Sequence, residues 1–138
     1  MRPLAVLVAL ASCGGFAERN ETRIVSASDL EWVALQRDGR STGLESVDVW
    51  GNSKTSAHGT LTKLAAGLAE PPHTHSRTFR ALIVAGTMRY VVLGKPSQPL
   101  GPGSYVVIAA HAVHFAQCLP ESICEVYVEQ DGPLDVKP

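Results

Sequence analysis

The stretch GLAEPPHTHSRTFRALIVAG, residues 67–86, decides the fold. Its two histidines, His73 and His75, stand two positions apart, and an extended backbone places such side chains on one face. The two imidazoles are then close enough to share a metal ion. The segment FRALIVA that follows is rich in β-forming residues, and Gly86 after it indicates a tight hairpin. The stretch therefore predicts an extended segment that carries two imidazoles, followed by a strand.

Short β-rich runs recur on both sides of this stretch, with glycine and proline between them. They read EWVAL, SVDVWG and HGTLTKL before it, and TMRYVVLG, SYVVIAA, AVHFAQC and ICEVYVEQ after it. Residues 101–104 (GPGS) indicate a turn, and residues 94–99 (GKPSQP) indicate a longer loop. Because no stretch shows a convincing 3.6-residue period, and no internal repeat is present, the pattern predicts an all-β sandwich or barrel.

The composition limits the class of protein. The 138 residues are 45% apolar and 18% charged, which suits one domain with a buried core and is too short for two. Twelve Lys and Arg against 13 Asp and Glu give a net charge of −1. Since there is no basic surplus, nucleic acid is not an expected partner. Three cysteines are an odd number, so one of them needs a role outside a disulfide.

The N-terminus resembles an export signal. The apolar run PLAVLVALA, residues 3–11, follows a single arginine and is about half the ~20 residues that cross a bilayer. The sequence LASC that ends at Cys13 resembles the lipobox of bacterial lipoproteins, in which the cysteine thiol carries a diacylglycerol. We expect a signal peptide over residues 1–12 and lipidation of Cys13. The alternatives are an ordinary secretory signal with a cysteine near its cleavage site, or a misassigned start.

This interpretation also predicts the organisation and location of the chain. Residues 13–29 are a linker after the lipobox cysteine, polar and without periodicity, and residues 30–138 are the folded domain. The protein would be exported to the bacterial periplasm or cell envelope and held there by its lipid anchor. The anchor would be its only contact with a membrane, at one face of the bilayer.

A second histidine-bearing stretch, AHAVH at residues 110–114, lies further along the chain. In a compact all-β domain, a third histidine on a neighbouring strand can complete a site with His73 and His75. Neutral imidazole is the commonest metal ligand in proteins, and three imidazoles leave one or more coordination positions open for water or substrate.

The first stretch resembles the first motif of the cupin family. That motif has a glycine, then His-x-His, then a glutamate and a second glycine. Gly67, His73, His75 and Gly86 match it in identity and spacing, and Phe79 stands at the glutamate position.

The second stretch resembles the second cupin motif, with more departures. Gly103 and His114 match, whereas Ala109, His111 and Cys118 stand where proline, glycine and asparagine are usual. The resemblance covers residues 30–138. It implies a single cupin (jelly-roll-like) β-barrel of the RmlC-like kind, and since cupins often dimerise, a homodimer is expected. The stretch LAAGLAEPPHTHSRTFRALIVAG and the ending VEQDGPLDVKP look like a bacterial cupin subfamily known only as a domain of unknown function.

The main departure is Phe79, since a phenyl ring cannot bind a metal ion. The expected ligand set is therefore His73, His75 and His114, around a divalent ion that could be Fe, Zn, Mn, Ni or Cu. A three-histidine iron site resembles those of thiol dioxygenases, in which substrate and oxygen occupy the open positions. The same triad with zinc would activate a water molecule. The alternative is that Phe79 fills the barrel and the site holds no metal.

Two functions follow from the resemblance. The first is an oxidoreductase of the dioxygenase kind, which acts on a small molecule at the three-histidine metal site. The second is a non-catalytic cupin that binds or senses a small molecule or a metal. A metal-dependent hydrolase or isomerase would need a base, and the sequence identifies none beside the histidines. No catalytic residue is assigned.

Further candidates surround the histidines. Those for the substrate pocket are Phe79, Arg77, Tyr90 and Cys118. Arg77 shares strand parity with His75 and could reach a substrate carboxylate, or it is a solvated loop residue. Tyr90 could offer its phenol to a substrate, or it belongs to the core. The remaining histidines, His58 and His111, are expected to be structural or exposed.

Two cysteines, Cys118 and Cys124, flank the segment LPESI, which suits a hairpin turn. Equal parity across such a turn could place them opposite one another, and in an exported protein they could form a disulfide. The alternatives are two buried free thiols, or Cys118 as a pocket residue near His114. Hairpin register, which decides among these, is not fixed by the sequence.

Overall fold

The computed structural model describes residues 22–138. The predicted signal peptide (residues 1–12), Cys13 and much of the linker (residues 13–29) lie outside the described residues, so the interpretation of these segments stays a prediction. A short 3-10 turn, Ala27–Asp29, precedes the first strand. Within residues 22–138, no helix is long and apolar enough to span a membrane.

The described chain forms eight β-strands and no α-helix, which confirms the predicted all-β fold. Each of the eight β-rich runs overlaps one strand, although β1 extends past EWVAL and β2 begins six residues before SVDVWG. The strands are β1 (Val33–Arg37), β2 (Arg40–Gly51), β3 (His58–Leu64), β4 (Phe79–Ala85), β5 (Met88–Val92), β6 (Tyr105–Ile108), β7 (His114–Cys118) and β8 (Cys124–Gln130).

The strands form two antiparallel sheets. The larger sheet has the order β1-β2-β3-β8-β4-β6, and the smaller sheet pairs β5 with β7. Along β8, buried and half-buried residues alternate, so one face of the larger sheet points inward. Ile83 and Val126 from this face pack with Met88 of the smaller sheet in one hydrophobic core. Burial of each such side chain stabilises the fold by about 1.5–3 kcal/mol.

The predicted hairpin at Gly86 is wrong. Strand β4 pairs with β6 and β8, whereas β5 pairs with β7, so the chain passes from one sheet to the other at Gly86. This glycine has φ +74°, and a Cβ atom there would lie 2.5 Å from the carbonyl oxygen of Ile123. A glycine is needed because the corner packs directly against the start of β8. The turn predicted over residues 101–104 is present, since the Ser104 N–H donates to the Gly101 carbonyl at 3.1 Å.

A disulfide joins Cys118, the last residue of β7, to Cys124, the first residue of β8. The structure thus contains the first of the three arrangements considered for these cysteines. Both residues are fully buried. Because β7 and β8 belong to different sheets, the disulfide ties the two sheets together at this end of the barrel.

Candidate metal centre

Three buried histidines lie together at the opposite end of β7 from the disulfide. His73 and His75 belong to the extended segment before β4, and His114 begins β7. The His73 N–H donates to the His114 carbonyl at 2.9 Å, and the His114 N–H donates to the His73 carbonyl at 3.0 Å. This reciprocal pair of bonds places the two side chains next to each other on the interior side. The two stretches singled out in the sequence are therefore adjacent in space.

The three rings can share one ion. Each histidine has a ring nitrogen within 4.8 Å of a ring nitrogen of the other two. The ring centroids of His73 and His114 lie 4.5 Å apart, and those of His73 and His75 lie 5.0 Å apart. Such a cluster in a cupin fold is compatible with a bound divalent metal ion, whose identity the donor set does not specify.

Backbone carbonyls orient all three rings in the same way. Nδ1 of His73 donates to the Pro71 carbonyl at 2.8 Å, and Nδ1 of His114 donates to the Ala112 carbonyl at 2.9 Å. Nδ1 of His75 donates to the carbonyl of Asp135, in the C-terminal segment. Since Nδ1 carries the proton in each ring, Nε2 keeps a free lone pair. Metal-binding histidines characteristically have such a partner on their other ring nitrogen.

Burial also favours the metal-binding form of the rings. Loss of solvation lowers the pKa of His75 below its ordinary value, against the raising effect of its bond to the Asp135 carbonyl. Burial likewise lowers the pKa of His114. Both imidazoles are therefore neutral at neutral pH, and the neutral ring is the form that binds metals.

Phe79 lines the cavity beside the histidines, as predicted. Its ring is stacked on His75, with ring centroids 5.4 Å apart and planes inclined by 6°. The ring of Tyr90 is tilted against Phe79, with ring centroids 6.1 Å apart, and it also lines the cavity. Phe79 does not fill the barrel, since a cavity of about 230 Å³ remains next to the histidines.

This cavity is mostly apolar, with a few polar groups. Its apolar walls include Leu44, Leu64, Val126, Val128, Leu134 and Val136. Its polar groups besides the three histidines include His58, Thr60 and Glu70, and Arg37 lies at its exposed edge. Small-molecule sites have this kind of lining, with few polar groups in apolar walls, and this volume suits a small ligand.

Glu70 is a site residue that the sequence analysis missed. It lines the cavity, and its N–H donates to the Ala116 carbonyl at 2.9 Å. Burial raises the pKa of its carboxyl, against the opposing effects of His73 and Arg37. Burial and the negative charge of Glu70 raise the pKa of Tyr90, so its phenol stays protonated at neutral pH.

A sequence signal for Glu70 does exist. Glu70 stands three residues before His73, a spacing that a flat strand would place on opposite faces. However, Pro71 and Pro72 lie between them and fix φ near −65°, which favours a polyproline II conformation with three residues per turn. In that conformation, residues three apart share a face.

Arg77 and Cys118 are not pocket residues, contrary to expectation. The chain bends at Ser76 and Arg77, where the Ser76 N–H donates to Oδ1 of Asp135 at 3.0 Å. This bend ends the strand parity on which the expectation depended, and the exposed Arg77 packs over Gly132 instead. Cys118 is buried in its disulfide at the far end of β7, away from the cavity lining.

The two other histidines differ from each other. His58 is 1% exposed and lines the cavity, with Nδ1 bonded to the Ser56 carbonyl at 3.1 Å. His111 is exposed, at a positive φ of 65°, in the position where the cupin motif that it resembles usually has glycine. It does not belong to the histidine cluster.

A buried amide near the cavity has no hydrogen-bond partner among the described residues. Gln130, the last residue of β8, is 0% exposed, and neither Nε2 nor Oε1 of its side chain is bonded. Leaving a buried polar group unpaired costs about 1–3 kcal/mol. Native proteins contain few such groups, and they are often functional.

Comparisons with known proteins support the fold. The model of a family described as a domain of unknown function, DUF4437, matches residues 17–137. No match is found among curated proteins. Among solved structures, the chain is similar to KdgF from Halomonas sp., with 18% identity and a TM-score of 0.64 over 80% of this chain and 94% of that chain.

Two further structures extend this similarity. The polyketide cyclase RemF from Streptomyces resistomycificus has 17% identity and a TM-score of 0.69, over 85% of this chain and 84% of that chain. An RmlC-like cupin from Shewanella frigidimarina NCIMB 400 has 16% identity and a TM-score of 0.64, over 80% of this chain and 92% of that chain. These likenesses show a cupin jelly-roll fold, and at such identities they show the fold alone.

Proposed function

Because the chain belongs to the DUF4437 family, a domain of unknown function, and has the cupin fold, we propose a function from its own site. The protein is a metal-binding cupin. His73, His75 and His114 hold a divalent ion, and a small molecule binds beside it in the cavity. The observation that carries this proposal is the orientation of three clustered rings, each with Nδ1 bonded to a carbonyl and Nε2 left free.

The charge of the site supports an anionic ligand. Three neutral imidazoles and Phe79 do not neutralise a divalent ion. In the described part of the chain, Glu70 is the one acidic side chain that lines the cavity, and Arg37 lies close enough to lower its carboxyl pKa. A bound oxyanion would therefore supply the negative charge that the usual glutamate ligand supplies in other cupins.

The first candidate activity is an oxidoreductase of the dioxygenase kind. When bound, a redox-active ion such as iron supplies electron-transfer chemistry, and three protein ligands leave positions for both substrate and oxygen. Phe79 and the apolar walls surround the ligand space with apolar groups, and Tyr90 can donate a hydrogen bond from its protonated phenol.

Glu70 favours a second candidate, a metal-assisted proton transfer such as an isomerase, lyase or cyclase reaction. Such a reaction needs a base in the pocket, and Glu70 offers a carboxylate there. The two candidates differ in their need for oxygen. Turnover without oxygen that is lost in Glu70→Gln would favour proton transfer. A non-catalytic binding or sensing cupin would bind the metal without turnover.

The metal content of the purified wild-type protein tests the proposal. After reconstitution with Fe, Zn, Mn, Ni or Cu and removal of free ions, we expect about one equivalent of one of these metals per chain, because three preoriented nitrogens form a single site. Elemental analysis measures it. His111→Asn, which changes an exposed histidine and tolerates the positive φ, should bind the same amount. No metal in the wild type under any of these conditions would contradict the proposal.

We also propose that the protein is exported and lipid-anchored through Cys13. A disulfide within the domain supports an oxidising compartment outside the cytoplasm. In bacterial cells that express the full chain, labelled palmitate should enter the protein. Cys13→Ser should abolish this labelling, because it leaves no thiol at position 13 and the two other cysteines are joined in the disulfide. Ser12→Ala, which keeps the cysteine, is the control. Equal labelling of Cys13→Ser and wild type would exclude the lipid anchor at this residue.

A further inference from the structure

The unpaired amide of Gln130 belongs to a buried residue whose two neighbours in the larger sheet line the cavity. Gln130 faces His58 of β3 on one side and Phe79 of β4 on the other in the register of the larger sheet. Side chains at such positions lie about 4.5–5.5 Å apart at Cβ. Both neighbours line the cavity, and Phe79 also stacks on His75. Gln130 therefore stands one strand away from the ring that contacts the histidine cluster.

The inward face of β8 leads toward the cavity as well. Val126 and Val128 precede Gln130 on the same face, and both line the cavity. Gln130 is fully buried between His58 and Phe79 and does not itself line the cavity, so a change of its side-chain rotamer would have to accompany ligand binding. An amide kept without a partner in the ligand-free protein is costly, and a partner that arrives with the ligand explains why it is kept.

The neighbouring groups define what such a ligand must offer. Nδ1 of His58 is bonded to the Ser56 carbonyl, so Nε2 is a hydrogen-bond acceptor. The Gln130 side chain adds one acceptor oxygen and one donor NH₂ group. None of the three residues in this row, His58, Gln130 and Phe79, is acidic, lysine or arginine. A carboxylate could accept from the Gln130 NH₂ group but would leave Nε2 of His58 and Oε1 of Gln130 without a donor, whereas a hydroxyl or amide group can both donate and accept.

We propose that Gln130 and His58 form a subsite that binds a neutral hydroxyl or amide group of the ligand. This inference rests on the proposed function, in which the ligand's oxyanion lies beside the metal ion. The ligand class is therefore a small carboxylate with a neutral hydrogen-bonding group several bonds away from the charge. The subsite determines which small carboxylates bind most tightly in the pocket.

Butyrate and 4-hydroxybutyrate are suitable probes, since they have the same charge and differ by one terminal hydroxyl. With zinc-loaded wild-type protein, calorimetry should give about 10-fold tighter binding of 4-hydroxybutyrate, because its hydroxyl pairs with groups that otherwise stay unpaired. Gln130→Leu has a similar side-chain volume and should bind both acids equally. Gln117→Leu, the same change on the outward face of β7, should keep the 10-fold preference. Zinc content should be the same in all three proteins.

Thermal melting of the metal-free proteins gives an independent test. Gln130→Leu should melt about 3–6 °C higher than wild type, since it removes an unpaired buried amide. A lower melting temperature would mean that Gln130 is already satisfied, for example by a buried water, and would overturn the proposal. Equal binding of the two acids by wild type, or no binding of either, would also overturn it. Failure of the wild type to take up zinc or any of the other four ions would instead overturn the proposed function, and the melting temperatures would then decide the role of Gln130.

Discussion

Replacement of His114 by alanine should lower the affinity of the protein for a divalent ion by about 100-fold or more. The buried imidazole offers one of three nitrogens that lie within 4.8 Å of one another, and alanine offers none. A three-ligand site has no spare protein donor, so the loss of one ligand removes a large part of the binding free energy. Zinc titration followed by calorimetry measures this effect, and His73→Ala should behave in the same way.

Thermal stability gives a second measurement of the same prediction. An ion at 100 times its dissociation constant stabilises a folded protein by about 2.7 kcal/mol. The wild type should therefore melt at a higher temperature with zinc than with a chelator, and His114→Ala should show almost no difference. His111→Asn is the matched control, because it changes an exposed histidine outside the cluster. A full response to zinc in His114→Ala would mean that the ion binds elsewhere.

Gly86→Ala should lower the free energy of unfolding by more than about 3 kcal/mol. The positive φ of +74° accounts for about 1–2 kcal/mol of this loss. The new Cβ would also lie 2.5 Å from the carbonyl oxygen of Ile123 and 2.9 Å from Cα of Cys124. Both are backbone atoms, and the disulfide at Cys124 limits how far that backbone can move. The corner between the two sheets would have to shift.

Gly94→Ala separates the two contributions. Gly94 has nearly the same φ, +76°, but a Cβ atom there would meet nothing within 4 Å. Its cost should be about 1–2 kcal/mol, from backbone conformation alone. Urea unfolding of both variants measures the difference. An equal loss of unfolding free energy in the two variants would show that the backbone at Gly86 can shift to accept a methyl group, despite its close approach to the start of β8.

The strands were predictable because their signals are local. Alternating β-rich runs such as HGTLTKL and ICEVYVEQ need only their own residues and the turns beside them to be identified. Strand partners are different, since they depend on contacts far apart in the chain. The segment around Gly86 looks like a hairpin, yet β4 and β5 pair with strands that lie elsewhere in the sequence.

The residues of the candidate site also fall into two groups: those with a local sequence signal, and those placed by contacts far apart in the chain. The pairing of His73 with His75 follows from the parity of extended chain, and His114 follows from the family resemblance. The same parity wrongly predicted that Arg77 faces the pocket, because a hydrogen bond from Ser76 to the distant Asp135 bends the chain just before Arg77. Gln130 was also missed, since its burial without a partner depends on how three strands meet.

The C-terminal segment, which follows β8, completes the candidate metal centre. The Asp135 carbonyl orients His75, and reciprocal backbone bonds of 2.8 and 3.0 Å hold Thr74 to Lys137. Leu134 lines the cavity. The Leu134 N–H also donates to the Ser53 carbonyl at 2.7 Å, and these bonds join the segment to turns and loops rather than to one of the eight strands. Segments held in this way open more readily than the strands of a sheet. Opening of this segment would release the His75 ring while all eight strands stay paired, so the rate at which a bound ion would leave would follow the opening of the segment rather than the unfolding of the barrel.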